Sequence, residues 1–283
     1  MKLLTLNTHS LEEPGYVEKT EQFIEMLSKE QPDIVALQEV NQSQNEAALP
    51  DVMLDGYTRC GGFELPVRRD NHARCVVEEL GKRGIYYNWT WISAKTGYGK
   101  YDEGMALFSK KPIARVQQFL TSKTDDYENW KTRRILGIQP EGSHDWFFTV
   151  HMGWWNDEEE PFADQWKCIQ ETLKNPEYRE GNIWLMGDFN SQDDVRGEGY
   201  DLVLKSGWKD TYLLAEEKDD GITVAEEIDG WREVDGRSKA AKNEKRLDYI
   251  FCNTQADVRT SNVICNGKNA PVVSDHYGVV ITV

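Results

Sequence analysis

The sequence predicts an α+β fold in which two β-sheets pack face to face and helices lie outside, and three observations predict it. Strand-like apolar runs outnumber helical ones; the few helical runs are amphipathic; and single polar residues recur at strand ends from Asn7 to His276. Those polar residues span nearly the whole chain, so cutting it in two would divide them. One domain over residues 1–283 is therefore expected.

Residues 2–6 (KLLTL) form the first strand. Residues 16–29 place Val17, Phe23, Ile24 and Leu27 at helical spacing, with Pro14 and Gly15 at the entry and Pro32 just beyond. Strand 33–37 (DIVAL) completes a β-α-β opening. Residues 41–69 hold Pro50, Gly56, Gly61, Gly62 and Pro66 and read as a long loop. A helix over 71–83 follows, capped by Asp70 or Asn71, and strands are expected at 86–92, 104–108, 112–120, 133–138 and 145–150. Helix 161–174 begins with Pro161 in the favoured first turn. Strand 183–187 leads into a second irregular region, from Asn190 to about Asn243, and strands at 247–252, 256–263 and 278–283 close the chain.

Composition narrows the function. Hydrophobic residues at 39% leave enough apolar surface for a large core, and no run approaches the roughly 18 apolar residues of a membrane span. The five cysteines are odd in number, widely spaced and without a C-x-x-C, which argues for reduced thiols and against a zinc site. One Lys followed by a strand pattern is not a signal peptide, so a cytoplasmic protein is expected, with no membrane association and no obligate protein partner implied. Acids outnumber bases 49 to 33, for a net charge of −16, which disfavours nucleic acid as a substrate. A small anion drawn in by a bound cation is compatible with that charge.

The polar strand ends carry the chemistry. Asn7 (LLTLNTH), Glu39 (DIVALQEV) and Asp275 (VVSDHYGVV) are hard oxygen donors of the kind Mg2+ prefers. A strand-end Glu is ordinarily just solvated, but Glu39 sits among apolar residues. Asp248 (RLDYIFC) is placed to orient His276 as a general base, although a buried His-Asp pair is as often structural. In IWLMGDFNS, Gly187 permits a sharp turn, Asp188 is suited to polarise water and Asn190 to donate to a phosphoryl oxygen; the D-x-N spacing alone also suits a simple turn. His151 (WFFTVHMG) completes the set as a donor.

LNTH, LQEV, HMG, GDFN, LDYIF and SDHYGV, with EGMALFSKKPI at 103–113, resemble the successive motifs of the endonuclease/exonuclease/phosphatase superfamily, in its order. The resemblance implies a deoxyribonuclease I-like four-layer α/β/β/α sandwich, a divalent metal (Mg2+, with Mn2+ as the other candidate) and in-line hydrolysis of a phosphoester. It gives Asn7, Glu39 and Asp275 to the metal site, Asp188 and Asn190 to water orientation and phosphate binding, Asp248 with His276 to an Asp-His base, and His151 to a phosphate contact. His9 departs from the pattern, since some nuclease members carry an acidic metal-site residue there. Whether Asp188 or His276 is the base, and whether one metal ion or two are held, stay open.

A basic stripe interleaved with aromatics is missing, as is an aromatic membrane wedge, which leaves a small cytosolic phosphate ester as the expected substrate. Ten tryptophans are many for this length. Core packing is the usual role of a tryptophan, but Trp154 and Trp155 directly follow HMG and Trp231 sits in IDGWRE, where flat rings suit the face of a sugar. Arg134 is the cation chosen for the substrate, with Lys100, Arg133 and Arg246 as further candidates. MKLLTLNTHS, YGKYDEGMALFSK, HMGWW and DGITVAEEIDGWRE resemble the bacterial maltose 6′-phosphate phosphatases, which implies phosphomonoester hydrolysis on a small phosphorylated sugar. A phosphodiesterase of the same superfamily and an inactive binding module are the alternatives.

Overall fold

The computed structural model describes residues 1–225, 228 and 244–283. In chain order the elements are β1 (Lys2–Asn7), α1 (Tyr16–Glu30), β2 (Ile34–Ser43), α2 (His72–Lys82), β3 (Asn88–Gly97), β4 (Tyr101–Ser109), β5 (Ile113–Leu120), β6 (Arg134–Pro140), β7 (Trp146–His151), α3 (Phe162–Thr172) and β8 (Ile183–Asp188). They continue with α4 (Gly199–Lys205), β9 (Lys209–Asp210), α5 (Thr211–Leu214), β10 (Glu217–Lys218), β11 (Asp248–Cys252), β12 (Thr260–Ile264) and β13 (Gly278–Thr282). Among its described residues the second irregular region thus holds two short helices and two short strands. Asn71 is the cap of α2, its side chain accepting from the Arg74 N–H at 3.1 Å. Pro161 stands at the N-cap of α3 with extended backbone, one position earlier than expected.

Two mixed sheets form, in the orders β10-β12-β13-β1-β2-β4-β3 and β5-β6-β7-β8-β11-β9. Alternation along each strand distributes side chains to the two faces. Leu3, Ile34, Ala36 and Leu107 meet Leu136, Phe147, Met186 and Ile250 between the sheets. Leu4, Leu6, Val35 and Leu37 point the other way, under Phe23, Leu27, Val76 and Leu80 of α1 and α2. On the far face of the second sheet, Phe148, Leu185 and Phe251 pack against Trp166, Ile169 and Val203 of α3 and α4. The result is the four-layer α/β/β/α sandwich.

The same alternation sends Asn7, His151, Asp188 and Asp248 into the space between the sheets at one end. His151 pairs across from Asp188, and Asp188 from Asp248, so three adjacent strands present one residue each in a single row. One layer deeper the apolar core gives way to a polar row. Gln38 Nε2 donates to Thr149 Oγ1 at 2.8 Å, Thr149 Oγ1 donates to the Leu37 carbonyl at 3.1 Å, and Thr5 Oγ1 donates to the Ala36 carbonyl at 3.1 Å. These groups are buried but bonded, which removes the desolvation penalty that isolated polar groups would carry.

Two bulges aim the remaining side chains. Between Leu37 and Val40, β2 carries one residue more than β4, and Glu39 adopts φ 51°. Between Ser93 and Lys95, β3 does the same against the other edge of β4. Both irregularities flank Gly104, where an added Cβ would meet the Ile92 carbonyl oxygen at 1.9 Å and the Trp91 ring nitrogen at 2.9 Å. That ring nitrogen in turn donates to the Val40 carbonyl at 3.0 Å. Gly104→Ala is therefore expected to cost about 3 kcal/mol, through overpacking with no room to relax, and to displace Glu39 and Lys95. Urea unfolding measures this; a midpoint equal to wild type would refute the packing argument.

Candidate active site

Six of the sequence-selected residues converge where β1, β2, β7, β8 and β11 meet the segment before β13. The Asn7 amide group bridges two carboxylates, donating to Glu39 Oε1 at 2.8 Å and Asp188 Oδ2 at 3.2 Å, while its own oxygen accepts the His9 N–H at 3.2 Å. His276 Nδ1 lies 2.9 Å from Asp248 Oδ2, and its Nε2 faces Asp188 Oδ2 at 3.8 Å. His151 Nε2 stands 3.7 Å from Asp188 Oδ2 and 4.0 Å from Glu39 Oε1. Asp188, Asp248 and His276 are almost entirely buried.

Gly187 serves close approach rather than a turn. It lies within β8 at φ 150°, and a Cβ there would meet the Val150 carbonyl oxygen at 2.0 Å. Beyond it, Asn190 adopts φ 45°, and its main-chain N–H holds Asp188 Oδ1 at 2.8 Å. The Asn190 side chain donates to the Met152 carbonyl at 2.9 Å, tying the β8 end to the turn after β7.

Charge is distributed unevenly. Burial pushes the Asp188 acid up, and Asp248 adds to that while His276 opposes it, leaving a value of about 7. Burial disfavours the His276 imidazolium, but the Asp248 and Asp188 carboxylates outweigh it and hold His276 well above the ordinary histidine range. His151 goes the other way: burial, then the Arg133 and Lys95 cations, keep it neutral. Burial and the nearby Glu103 charge raise the Glu39 acid, with Asp275 contributing in the same direction.

Asp275 is partly exposed, 3.9 Å from His9 Nδ1, and its N–H donates to Glu13 Oε1 at 3.1 Å. His9 Nδ1 also lies 2.8 Å from Glu13 Oε1, and although burial opposes its charge, Glu13, Glu39 and Asp275 push it up to about 9. Ligand atoms of His9, Glu13 and Asp275 all lie within 4.8 Å of one another. Asp275 thus joins Glu39 through the charge field around His9 rather than through a shared hydrogen bond. The donors suit a hard divalent ion: Glu39 and Asp275 offer carboxylate oxygens, and the Asp275 charge disfavours that of Glu39 until a cation joins them.

The substrate candidates separate. Trp154 packs beside Val224, Ile228 and Leu247, with its ring 5.4 Å from that of Trp130. Trp155 leans on Phe162 at 6.3 Å and packs onto the core beneath α3. Arg134 lies over the Phe63 ring at 4.7 Å, on the wall of the cleft that reaches His151. Lys100 pairs with Glu12 at the exposed rim, and Arg246 is tied to Asp193 and Asp210 among three tyrosine rings. Trp231 falls outside the described residues. Sequence reading passed over Lys95 and Glu103, an ion pair at 3.1 Å behind His151, and the polar row of Thr5, Gln38 and Thr149. Buried charges in strands were the available signal, but alternation alone could not show which way Lys95 turns.

A row of carboxylate, amide and imidazole groups at one end of a two-sheet sandwich defines the class of the phosphoester hydrolases that work at such an edge. The chain belongs to the Endonuclease/Exonuclease/phosphatase family, which matches residues 4–276. A family protein from Leptotrichia buccalis C-1013-b is 34% identical, covering 100% of this chain and 98% of its own, with a TM-score of 0.84. The mannosyl-6-phosphatase Bt3783 of Bacteroides thetaiotaomicron VPI-5482 shares the fold at 16% identity and a TM-score of 0.64, with coverage of 100% and 98%. Truncated TDP2 of Caenorhabditis elegans does so at 16% identity and 0.59, with coverage of 100% and 97%. No curated protein matches the chain.

Proposed function

We propose that this protein is a divalent-metal-dependent phosphomonoesterase that removes phosphate from a small phosphorylated sugar, with maltose 6′-phosphate the substrate its loops resemble. The observation that carries the reading is the row Asp248, His276, Asp188, Asn7 and Glu39, hydrogen-bonded except for the 3.8 Å approach of His276 to Asp188, with His151 beside it at one edge of the sandwich. Its placement on a sugar rests on the net charge of −16, on the tryptophans near the cleft, and on a fold shared with a mannosyl-6-phosphatase. Five free cysteines, and no helix among the described residues long and apolar enough to cross a membrane, accord with a cytoplasmic location.

Glu39, with Asp275 and Asn7 directly or through water, would hold Mg2+ or Mn2+, which supplies Lewis-acid polarisation of the phosphoryl group. Asp188 is assigned as the base that takes the proton of the attacking water, because the Asp248 carboxylate 2.9 Å from His276 Nδ1 favours the charged imidazolium over a proton-accepting one. The His276 imidazolium keeps Asp188 oriented and places positive charge where phosphoryl charge develops. His151, neutral, donates a hydrogen bond without adding charge. Asn190 fixes Asp188 through its N–H and is assigned a phosphoryl contact through its amide.

Phosphate release from a panel of phosphorylated mono- and disaccharides, run beside bis-p-nitrophenyl phosphate in magnesium, manganese and EDTA, tests the reading. The sugar monoesters are expected to turn over at least 100-fold faster per kcat/KM than the diester, and EDTA to abolish both. A preference for the diester would instead make the protein a phosphodiesterase.

A further inference from the structure

Behind His151 lies a second cluster that the site described above does not use. Arg133 is 3% exposed. Its Nη1 donates to the Trp130 and Thr132 carbonyls at 2.8 and 3.3 Å, while its Nε has no partner. Among the described residues no carboxylate lies within ion-pair distance of it. Lys95, turned inward by the β3 bulge, is paired with Glu103 at 3.1 Å and donates to the Trp130 carbonyl at 2.9 Å. Of these two buried cations only Lys95 has a carboxylate partner, in a protein that is acidic overall. A buried guanidinium with an unfilled donor is costly unless an anion completes it.

Trp154 adds a third observation. Its ring nitrogen is buried and also without a partner, and the Arg133 guanidinium lies 6.0 Å from its ring. The neighbouring Trp130 is half exposed, 5.4 Å away. Donors thus line the inner wall and an aromatic face opens outward.

We propose that Arg133, with Lys95 behind it, is the receptor for the terminal oxygens of a dianionic phosphate, and that it makes this protein select phosphomonoesters over phosphodiesters. This rests on the phosphoester-hydrolase reading of the adjoining site. The cleft beside Arg133 is lined by residues of β3, β4 and the start of β6 and reaches His151, so Arg133 faces the same cavity as the histidine assigned to the phosphoryl group. A diester also brings one negative charge where a monoester brings two. The Trp130–Trp154 face receives the flat, apolar side of the alcohol that the phosphate leaves.

The test compares Arg133→Gln and Arg133→Lys with wild type on p-nitrophenyl phosphate and bis-p-nitrophenyl phosphate, with thermal melts to establish folding. Arg133→Gln is expected to lower kcat/KM for the monoester by about 100-fold and for the diester by less than about 5-fold, in line with the loss of one charged hydrogen-bonding partner from a buried site. Arg133→Lys, which keeps charge and loses the planar fork, should fall between. An unchanged monoester-to-diester ratio in both variants would overturn the proposal and leave Arg133 as a backbone tie. Calorimetric titration of the EDTA-treated protein with inorganic phosphate separates this from the functional reading. If wild type proves to hydrolyse diesters alone, that reading and the monoester selection both fail, yet phosphate binding that weakens about 100-fold in Arg133→Gln still upholds Arg133 as the phosphate receptor. Equal phosphate binding by both proteins overturns it.

Discussion

Replacing His276 by glutamine is expected to lower kcat by about 1,000-fold, the upper part of the range for a charged group acting at the reacting centre. The residue is nearly inaccessible, its Nδ1 is held by Asp248 at 2.9 Å, and its Nε2 faces Asp188 at 3.8 Å. Glutamine preserves a donor but not the positive charge. The pH profile carries the assignment of roles. Asp188 must be deprotonated to accept a proton, so kcat/KM rises as pH passes through its value of about 7, or lower once a cation is bound nearby. His276 must be protonated, so the rate falls again at high pH, where the imidazolium is finally lost. In the glutamine variant that alkaline fall should vanish. A variant with near-wild-type turnover and an unaltered alkaline limb would remove His276 from the mechanism.

Glu39→Gln should abolish the stabilisation that magnesium gives the protein. At a metal concentration 100 times Kd, that stabilisation is about 2.7 kcal/mol in wild type. Its sign with pH follows from the shifts. The Glu39 and Asp188 acids are both raised in the folded state, so the metal-free protein binds more protons than the unfolded chain. Its stability therefore falls as pH rises from about 4, the unfolded carboxylate value, through about 7 for Asp188. His276, also raised, contributes stability that is complete below about 6.5 and is lost as pH climbs through its elevated folded value. A cation replaces those protons, so the magnesium-induced rise in Tm should grow between pH 5 and pH 8, to be followed by calorimetry at about those two values. An equal rise in wild type and Glu39→Gln would show that Glu39 does not hold the ion.

Much of this site is legible before folding because strand ends are marked twice, by an apolar run and by the polar residue that stops it. Asn7, His151, Asp188 and Asp248 obey simple alternation: each lies an even number of positions from a core residue such as Leu3, Phe147, Trp184 or Ile250, and so enters the space between the sheets. Glu39 does not. Alternation from Ile34, Ala36 and Gln38 assigns it to the helix side, and only the bulge opposite Gly104, with φ 51°, turns it towards Asn7. Lys95 is hidden for the same reason on the other edge of β4. Arg133 and Arg134 are adjacent in sequence, and spacing cannot choose between them for the substrate. The structure buries Arg133 and lays Arg134 over Phe63.

The sequence by itself determined the two-sheet sandwich and the order of its polar strand ends, because period-two alternation and apolar runs are local properties of the chain, and the motifs around those ends carried the family resemblance. Tertiary structure alone decided which carboxylates meet, which histidine is pushed towards its charged form and which arginine is buried. Those outcomes depend on bulges, burial and neighbouring charge contributed by strands more than 100 residues apart, such as Asn7 on Asp188, and electrostatic work of that kind is done only once the sheets have closed.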